Sequence, residues 1–149
     1  MTISYRNFEI ADTPAVSQLM FSLYKEDPGG KPITPGKIKK TIAFFMENPE
    51  HGSIVVFDKE GTVIGYAILI NYWSNEFGGN IVIIDELYVK KGYRSQGIGS
   101  RFIEFLKNRE SGRSVAFQLE VSPENEKACR LYSRLGFKPH KNTMYDLEL

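Results

Sequence analysis

The segment from residue 94 to 99 places two glycines where a polypeptide can bind a phosphate group. It runs Arg-Ser-Gln-Gly-Ile-Gly, so Gly97 and Gly99 follow Arg94 closely. Glycines let the main chain approach a ligand, and the N–H groups at a helix N-terminus attract anions. Arg94 and Lys91 would add positive charge. The alternative is structural, since the glycines could simply close a tight turn between a strand and a helix.

Two common nucleotide-binding motifs do not fit this segment. A dinucleotide fingerprint requires a small residue three places after Gly99, and that position holds the bulky Phe102. The fingerprint also belongs to the first strand–helix unit, whereas several strands are predicted before residue 94. A phosphate loop of the type G-x-x-x-x-G-K-S/T does not occur. The segment therefore predicts a ligand that carries a diphosphate but is neither a dinucleotide nor a nucleoside triphosphate.

Two adjacent acids precede this segment. Asp85 and Glu86 follow a run of apolar residues in a predicted strand over 81–89. Burial there would raise a carboxyl pKa toward the range in which the group can accept a proton from an amine. Adjacent strand residues point to opposite faces, so only one of the two should face a site. The alternative is that the pair binds a substrate ammonium group or caps a neighbouring turn.

Hydrophobic periodicity predicts the elements that position these residues. Capping signals at Asp12-Thr13-Pro14 and Thr34-Pro35 begin two amphipathic helices, and a Lys59-Glu60-Gly61 turn joins a hairpin. The strands are predicted at 3–8, 53–58, 62–72, 81–89, 115–121, 137–140 and 144–149, and the helices at 12–27, 34–48, 97–109 and 123–135. The last helix should bury a stripe that includes Ala128, Leu131, Tyr132 and Leu135. The order predicts a mixed α/β (α+β) domain.

Composition limits the class of protein. The 149 residues fit one domain, 1–149, and a net charge of +1 does not favour a nucleic-acid or membrane-surface partner. No apolar run approaches the roughly 20 residues needed to cross a bilayer. One cysteine and two histidines make a metal site of these ligands improbable, so no metal is expected. These features predict a cytoplasmic protein.

With these residues in place, the sequence resembles the GNAT family of N-acetyltransferases. The family motif Arg/Gln-x-x-Gly-x-Gly/Ala is matched at all three defined positions of 94–99. Residues 125–137 resemble the second signature, Asn-x-x-Ala-x-x-Leu-Tyr followed by Gly-Phe, and 85–89 has the usual form of the family's preceding strand. The resemblance covers essentially the whole chain. A weaker similarity, over 87–97, points to the diamine/spermidine acetyltransferase branch.

The resemblance implies the fold and the binding site of the co-substrate acetyl-CoA. A mostly antiparallel sheet of six to seven strands would be flanked by about four helices. Strands 81–89 and 115–121 would splay apart around the pantetheine arm. Backbone groups near Leu87 and Val89 would pair with the pantetheine amides. The implied cofactor-binding residues are Leu87, Tyr88, Val89, Arg94, Ser95, Gln96, Gly97, Ile98, Gly99, Ser100, Asn125, Ala128 and Tyr132.

The resemblance also suggests catalytic roles. Tyr132 occupies the position of the tyrosine that faces the CoA sulfur, and it would protonate the departing thiolate. The structural alternative is core packing on an apolar helical face. Similarity to the polyamine branch favours Asp85 as the base, with Glu86 kept open. Because family members often carry a bulge in this strand, the alternation of side chains along it does not predict which of the two acids faces the site.

The acceptor would be the primary amine of a small molecule such as a polyamine, diamine or amino-acid derivative, attacking directly in a ternary complex. Tyr24, Glu26 and Asp27 end the first helix, where the family builds its acceptor pocket, and Tyr72 and Trp73 lie in a later reversal. Both segments would suit a cation, although for each taken singly the sequence favours a solvated loop. Two alternatives remain open: an inactive CoA-binding sensor or partner module, and acetylation of a protein N-terminus or lysine. The resemblance is also compatible with a homodimer, since members of the family often form dimers.

Overall fold

The computed structural model describes residues 2–149, in which helices cover both faces of a central sheet. The strands are β1 (Ile3–Asn7), β2 (Gly52–Lys59), β3 (Thr62–Ser74), β4 (Gly79–Val89) and β5 (Ala116–Leu119). The helices are α1 (Thr13–Glu26), α2 (Pro35–Glu47), α3 (Ile98–Glu110) and α4 (Glu126–Arg134), with a short 3₁₀ turn at Ile10–Asp12. Over residues 2–149, no helix is long and apolar enough to cross a membrane.

The sheet has the spatial order β1-β2-β3-β4-β5. The first four strands are antiparallel neighbours, whereas β5 runs parallel to β4. Pairing of β4 with β5 extends from Ile81–Ala116 to Ile84–Leu119, and β4 then continues to Val89 paired only with β3 among the described strands. The two strands therefore separate beyond Ile84, which leaves the end of β4 without a partner on that side.

The described residues form five strands rather than the predicted six to seven. The closing strands predicted at 137–140 and 144–149 do not form, and Met144, Tyr145 and Leu147 are 74%, 90% and 87% exposed. An alternating apolar pattern stabilises a strand only when one face packs against a core. Pro139 also lacks the N–H that a ladder requires. The pattern of the tail is thus real, but nothing among residues 2–149 buries it.

Two hydrophobic clusters lie on opposite faces of the sheet. On one face, Val16 and Met20 of α1 and Ile38 of α2 pack with Val56 and Tyr66. On the other face, α3 packs through residues that include Phe102 and Leu106 against alternate residues of β2, β3 and β4. Adjacent strand residues thus enter different clusters, as the pleat requires.

The predicted start of α1 is confirmed, but Asp12 does not cap it with its side chain. Its carboxylate instead accepts hydrogen bonds from the Arg6 guanidinium at 2.8 and 2.9 Å and from the Glu9 N–H at 2.8 Å. Arg6 also donates to Asp58 at 3.0 Å. The hydrogen bond from Arg6 holds the pKa of Asp12 below its usual value although burial opposes this. The carboxylate therefore joins β1 to the start of α1.

Gly52 is the glycine at which an added methyl group meets the closest obstruction. A Cβ there would lie 2.1 Å from the carbonyl oxygen of Leu69 and 2.8 Å from Phe45 Cε1. Because the backbone oxygen cannot move without breaking the β2–β3 ladder, we expect Gly52→Ala to lower the free energy of unfolding by about 3 kcal/mol. Denaturant unfolding measures this. The control is Gly30→Ala in open space, which should stay within about 0.5 kcal/mol of wild type.

Candidate active site

A bulge in β4 determines which acid faces the site. Ile68 of β3 lies opposite Glu86, but the next residue, Leu69, lies opposite Ile84. Asp85 is therefore the extra residue, without a direct partner on β3. A bulge of this kind reverses which residues of a strand face each side.

The reversal is visible in the packing of β4. Ile84 belongs to the cluster beneath α3, whereas Tyr88 belongs to the cluster beneath α1 and α2. In a regular strand these two even-numbered residues would share a face. Because of the bulge, Glu86 and Tyr88 instead point toward α1.

Glu86 lies between two tyrosines at this face. Tyr24, near the end of α1, donates its hydroxyl to one carboxylate oxygen at 2.6 Å, and Tyr66 of β3 donates to the other at 2.7 Å. Burial raises the pKa of Glu86, and so does the charge of Asp85, although the two tyrosine hydrogen bonds oppose the rise. The result is a half-buried carboxyl group held in one orientation, whose pKa lies above its ordinary value.

Asp85 has a different environment. The residue is exposed at the bulge, although burial of its carboxyl group against the sheet raises its pKa. Among the side-chain hydrogen bonds of residues 2–149, none involves its carboxylate, in contrast to the two at Glu86. Of the two acids, Glu86 is the one that the structure both orients and connects to α1.

A second group joins the end of α1 to the segment 94–99. Arg94 Nη2 lies 2.8 Å from Oε1 of Glu26, the last residue of α1, and Arg94 Nε donates to the carbonyl of Val89 at 2.7 Å. The hydroxyl of Tyr88 donates to Oε2 of Glu26, and the guanidinium lies over the Tyr88 ring at 5.1 Å. Asp27 follows as the exposed C-cap of the helix. The first residue of the motif thus contacts the predicted acceptor segment.

The glycine segment forms a tight turn that opens α3. Ser95 and Gly97 have φ values of 63° and 77°, and Gly97 is the N-cap of the helix that begins at Ile98. Gly97 adopts this left-handed conformation without the steric cost that a side chain would bring. Tyr5 of β1 donates its hydroxyl to the carbonyl of Ile98 at 2.7 Å and so anchors the first turn. The free N–H groups at this end of α3 are suited to binding an anion.

Two cations near this turn were missed in the sequence analysis. Lys127 of α4 donates to Ser95 Oγ at 2.8 Å, and Arg101 of α3 donates to the carbonyl of Gln96 at 3.1 Å. A Cβ on Gly99 would lie 3.8 Å from Leu131 Cδ2, which shows how closely α4 packs beside the turn. Lys127 lies within the second family signature, so its position in that motif could have identified it from the sequence.

Helix α4 carries the residues of the second signature. It begins at Glu126 rather than near 123, and the side chain of Asn125 caps it by accepting from the N–H of Ala128 at 3.2 Å. The Tyr132 ring contacts Phe137 edge-on at 5.6 Å, and burial raises the pKa of its hydroxyl. The predicted stripe of Ala128, Leu131, Tyr132 and Leu135 is only partly buried.

The remaining predicted residues divide into two groups. Leu87 and Val89 pack partly buried beneath α3, at the part of β4 that extends beyond the last pair with β5. Tyr72 and Trp73 are exposed and lie away from this end of the sheet. Tyr72 follows Ile68, the partner of Glu86, by four residues, or about 13 Å of strand. The structure therefore does not bring these two aromatic residues to Glu86.

Comparisons with known proteins place this arrangement in a family. Residues 17–137 match the model of the acetyltransferase (GNAT) family. The chain is similar to the D-amino-acid N-acetyltransferase HPA3 of Saccharomyces cerevisiae, at 28% identity over 80% of this chain and 77% of that protein. It is also similar to the thialysine N-epsilon-acetyltransferase of Sus scrofa, at 36% identity over 50% of this chain and 44% of that protein.

A solved structure supports the same assignment at the level of the fold. A possible acetyltransferase from Clostridium difficile 630 superimposes with a TM-score of 0.86 at 24% identity, over 100% of this chain and 99% of that chain. The family match begins within α1, at residue 17, includes the turn at 94–99, and ends at residue 137, three residues beyond the end of α4. The chain therefore belongs to the GNAT family of acetyltransferases and is an N-acetyltransferase.

Proposed function

We propose that this enzyme transfers the acetyl group of acetyl-CoA directly to a primary amine of a small cationic molecule, such as a polyamine, a diamine or an amino-acid derivative. The observation that carries the proposal is the position of Glu86. Its carboxylate is half-buried and oriented by Tyr24 and Tyr66, at the face of β4 that is turned toward the end of α1. That arrangement supplies a proton acceptor next to an acidic helix end.

The residues present fit the donor substrate. Acetyl-CoA is the acyl donor used by the GNAT family and supplies the thioester. The N–H groups at the start of α3 would hold its diphosphate, with Arg94, Arg101 and Lys127 adding positive charge. Main-chain groups of 87–89 would pair with the pantetheine arm, since β4 has no β5 neighbour beyond Ile84.

The proposed proton path uses two groups. An unperturbed alkylammonium has a pKa of about 10.4, so the acceptor must lose a proton before it attacks. Glu86 accepts that proton, directly or through water, and its raised pKa favours this role. Tyr132, whose pKa is also raised, remains protonated and donates to the departing thiolate. A backbone N–H within 87–89 would donate to the carbonyl oxygen of the thioester.

The charge around the site favours a cationic acceptor. Glu86 and Asp85 on β4 and Glu26 and Asp27 at the end of α1 are all acidic. The two named relatives act on D-amino acids and on thialysine, which are small amines. Both observations support a small amine rather than a protein as the acceptor.

The test is release of free CoA thiol from acetyl-CoA across a panel of polyamines, D- and L-amino acids, thialysine, aminoglycosides and short peptides. We expect turnover with small amines that carry a further positive charge. Turnover only with peptides would contradict the proposed acceptor class. Binding of acetyl-CoA without turnover of any amine would instead favour a CoA-binding module without catalysis.

Lys127 gives a test of the donor site. We expect Lys127→Gln to raise the KM for acetyl-CoA about three- to fivefold, because an exposed ion pair with a phosphate contributes modestly, and to leave kcat unchanged. Steady-state kinetics at low and high salt measure this, and the difference should shrink as salt screens the charge. Lys40→Gln, an exposed residue of α2, is the matched control. An equal effect of both variants would remove Lys127 from the donor site.

A further inference from the structure

The ion pair between Arg94 and Glu26 connects the two substrate sites of the proposed enzyme. Arg94 opens the segment expected to hold the diphosphate, and Glu26 ends the helix whose Tyr24 contacts Glu86. The carboxylate of Glu26 is also held by the hydroxyl of Tyr88. The carboxylate of Glu26, at the proposed acceptor site, therefore neutralises Arg94, at the proposed donor site.

A bound diphosphate would compete with Glu26 for the guanidinium. Phosphate oxygens accept paired, charge-assisted hydrogen bonds from arginine, whereas a diphosphate and the carboxylate of Glu26 repel each other. The Arg94 and Glu26 side chains are 37% and 42% exposed, so solvent screens their attraction and the pair is weak. A ligand with more negative charge than a single carboxylate is able to displace it.

Once released from Arg94, Glu26 would keep the hydrogen bond from Tyr88 but would no longer be neutralised by the guanidinium. In the ion pair, partial burial raises the pKa of Glu26, but the hydrogen bonds from Tyr88 and Arg94 and the charge of Lys91 hold it below the usual value; Tyr88 and Lys91 remain after Arg94 leaves. Tyr88 and Glu86 are two residues apart on one face of β4, or about 7 Å. The carboxylates of Glu86 and Glu26, the latter held by the Tyr88 hydroxyl, therefore both border the face of β4 that is turned toward α1.

We infer that Glu26 couples the two substrates: it holds Arg94 in the free enzyme, yields it to the diphosphate of acetyl-CoA, and then binds an ammonium group of the acceptor. The inference rests on the proposed function and adds to it one residue through which donor binding and acceptor binding influence each other. Because coupling between two sites is reciprocal, bound acceptor also strengthens donor binding.

The experiment compares wild type with Glu26→Gln and Glu26→Ala, with Glu47→Gln on the exposed end of α2 as the charge-matched control. Calorimetric titration with CoA alone should show about two- to fivefold tighter binding in both Glu26 variants, because Arg94 no longer has a competing partner. In turnover with the amine found in the panel, the KM for the amine should rise about fivefold or more, while kcat at saturation stays within about twofold. Glu47→Gln should resemble wild type in both measurements.

The sign of the change in CoA affinity separates this role from a structural one. If Glu26 only positions Arg94 for the diphosphate, both variants bind CoA more weakly, and the inference is overturned. Unchanged CoA affinity, or an unchanged KM for the amine, overturns it as well. If wild type itself binds no CoA, the proposed function fails first. Tight CoA binding by wild type with no effect of Glu26 removes only the inference.

Discussion

Glu86→Gln should lower kcat/KM for the amine about 10²- to 10³-fold, because a positioned general base contributes about that much. The substitution keeps the shape of the side chain, and the amide oxygen can still accept from one tyrosine while the NH2 group donates to the hydroxyl oxygen of the other, but it removes the proton acceptor. The pH profile provides a second readout. In wild type, kcat/KM should rise through the pKa of Glu86, which burial raises above that of an ordinary glutamate. In the variant, the rise of kcat/KM at the pKa of Glu86 should disappear, and only the rise caused by deprotonation of the amine should remain.

Asp85→Asn is the matched comparison, because it removes the adjacent carboxylate from the same bulge. We expect a smaller loss, in keeping with the exposed position of Asp85 and its lack of a hydrogen bond among residues 2–149. Thermal unfolding of both variants shows whether the fold is intact. A larger loss of activity for Asp85→Asn than for Glu86→Gln would instead identify Asp85 as the proton acceptor.

Tyr132→Phe should lower kcat about 10²-fold, since it removes the proposed proton donor to the thiolate. The affinity for acetyl-CoA should stay close to that of wild type, because the ring and its edge-on contact with Phe137 remain. The measurement combines kcat at saturating amine with a calorimetric titration of CoA. The raised pKa of Tyr132 predicts that the alkaline limb of the kcat profile lies above that of an ordinary tyrosine.

Tyr145→Phe in the exposed tail is the control for loss of a tyrosine hydroxyl and should leave kcat unchanged. If Tyr132→Phe changes kcat by less than about threefold, a role in packing would be sufficient for this residue. A loss confined to CoA affinity would also contradict the role in proton transfer and would place Tyr132 among the binding residues only.

The local features of this protein could be predicted from the sequence because they depend on neighbouring residues. The left-handed conformation at Gly97 suits the one residue type without a Cβ, so the turn that opens α3 is a property of its own segment. The starts of α1 and α2 depend on a threonine followed by a proline near the helix N-terminus. The hairpin of β2 and β3 and the long apolar β4 follow equally from short-range patterns.

The tertiary structure decided everything that depends on pairing between distant segments. The orientation of Glu86, rather than Asp85, toward α1 results from the register of β4 against β3, in which Asp85 is the extra residue of the bulge. The pairing of Arg94 with Glu26, and the approach of Lys127 to Ser95, join residues far apart in the chain. No periodicity within one segment encodes such contacts, because packing of whole elements creates them.

The C-terminal tail shows that a short-range pattern can also predict an element that does not form. Residues 144–149 have the alternating pattern of a strand, but a strand needs a neighbouring edge and a core face, and these six residues have neither within residues 2–149. By itself the sequence indicated the family, the glycine turn that opens α3 and the candidate acids, since these depend on motifs that can be recognised along the chain. The tertiary structure alone decided which acid points toward α1 and which cations lie beside the turn, because those depend on strand register and helix packing.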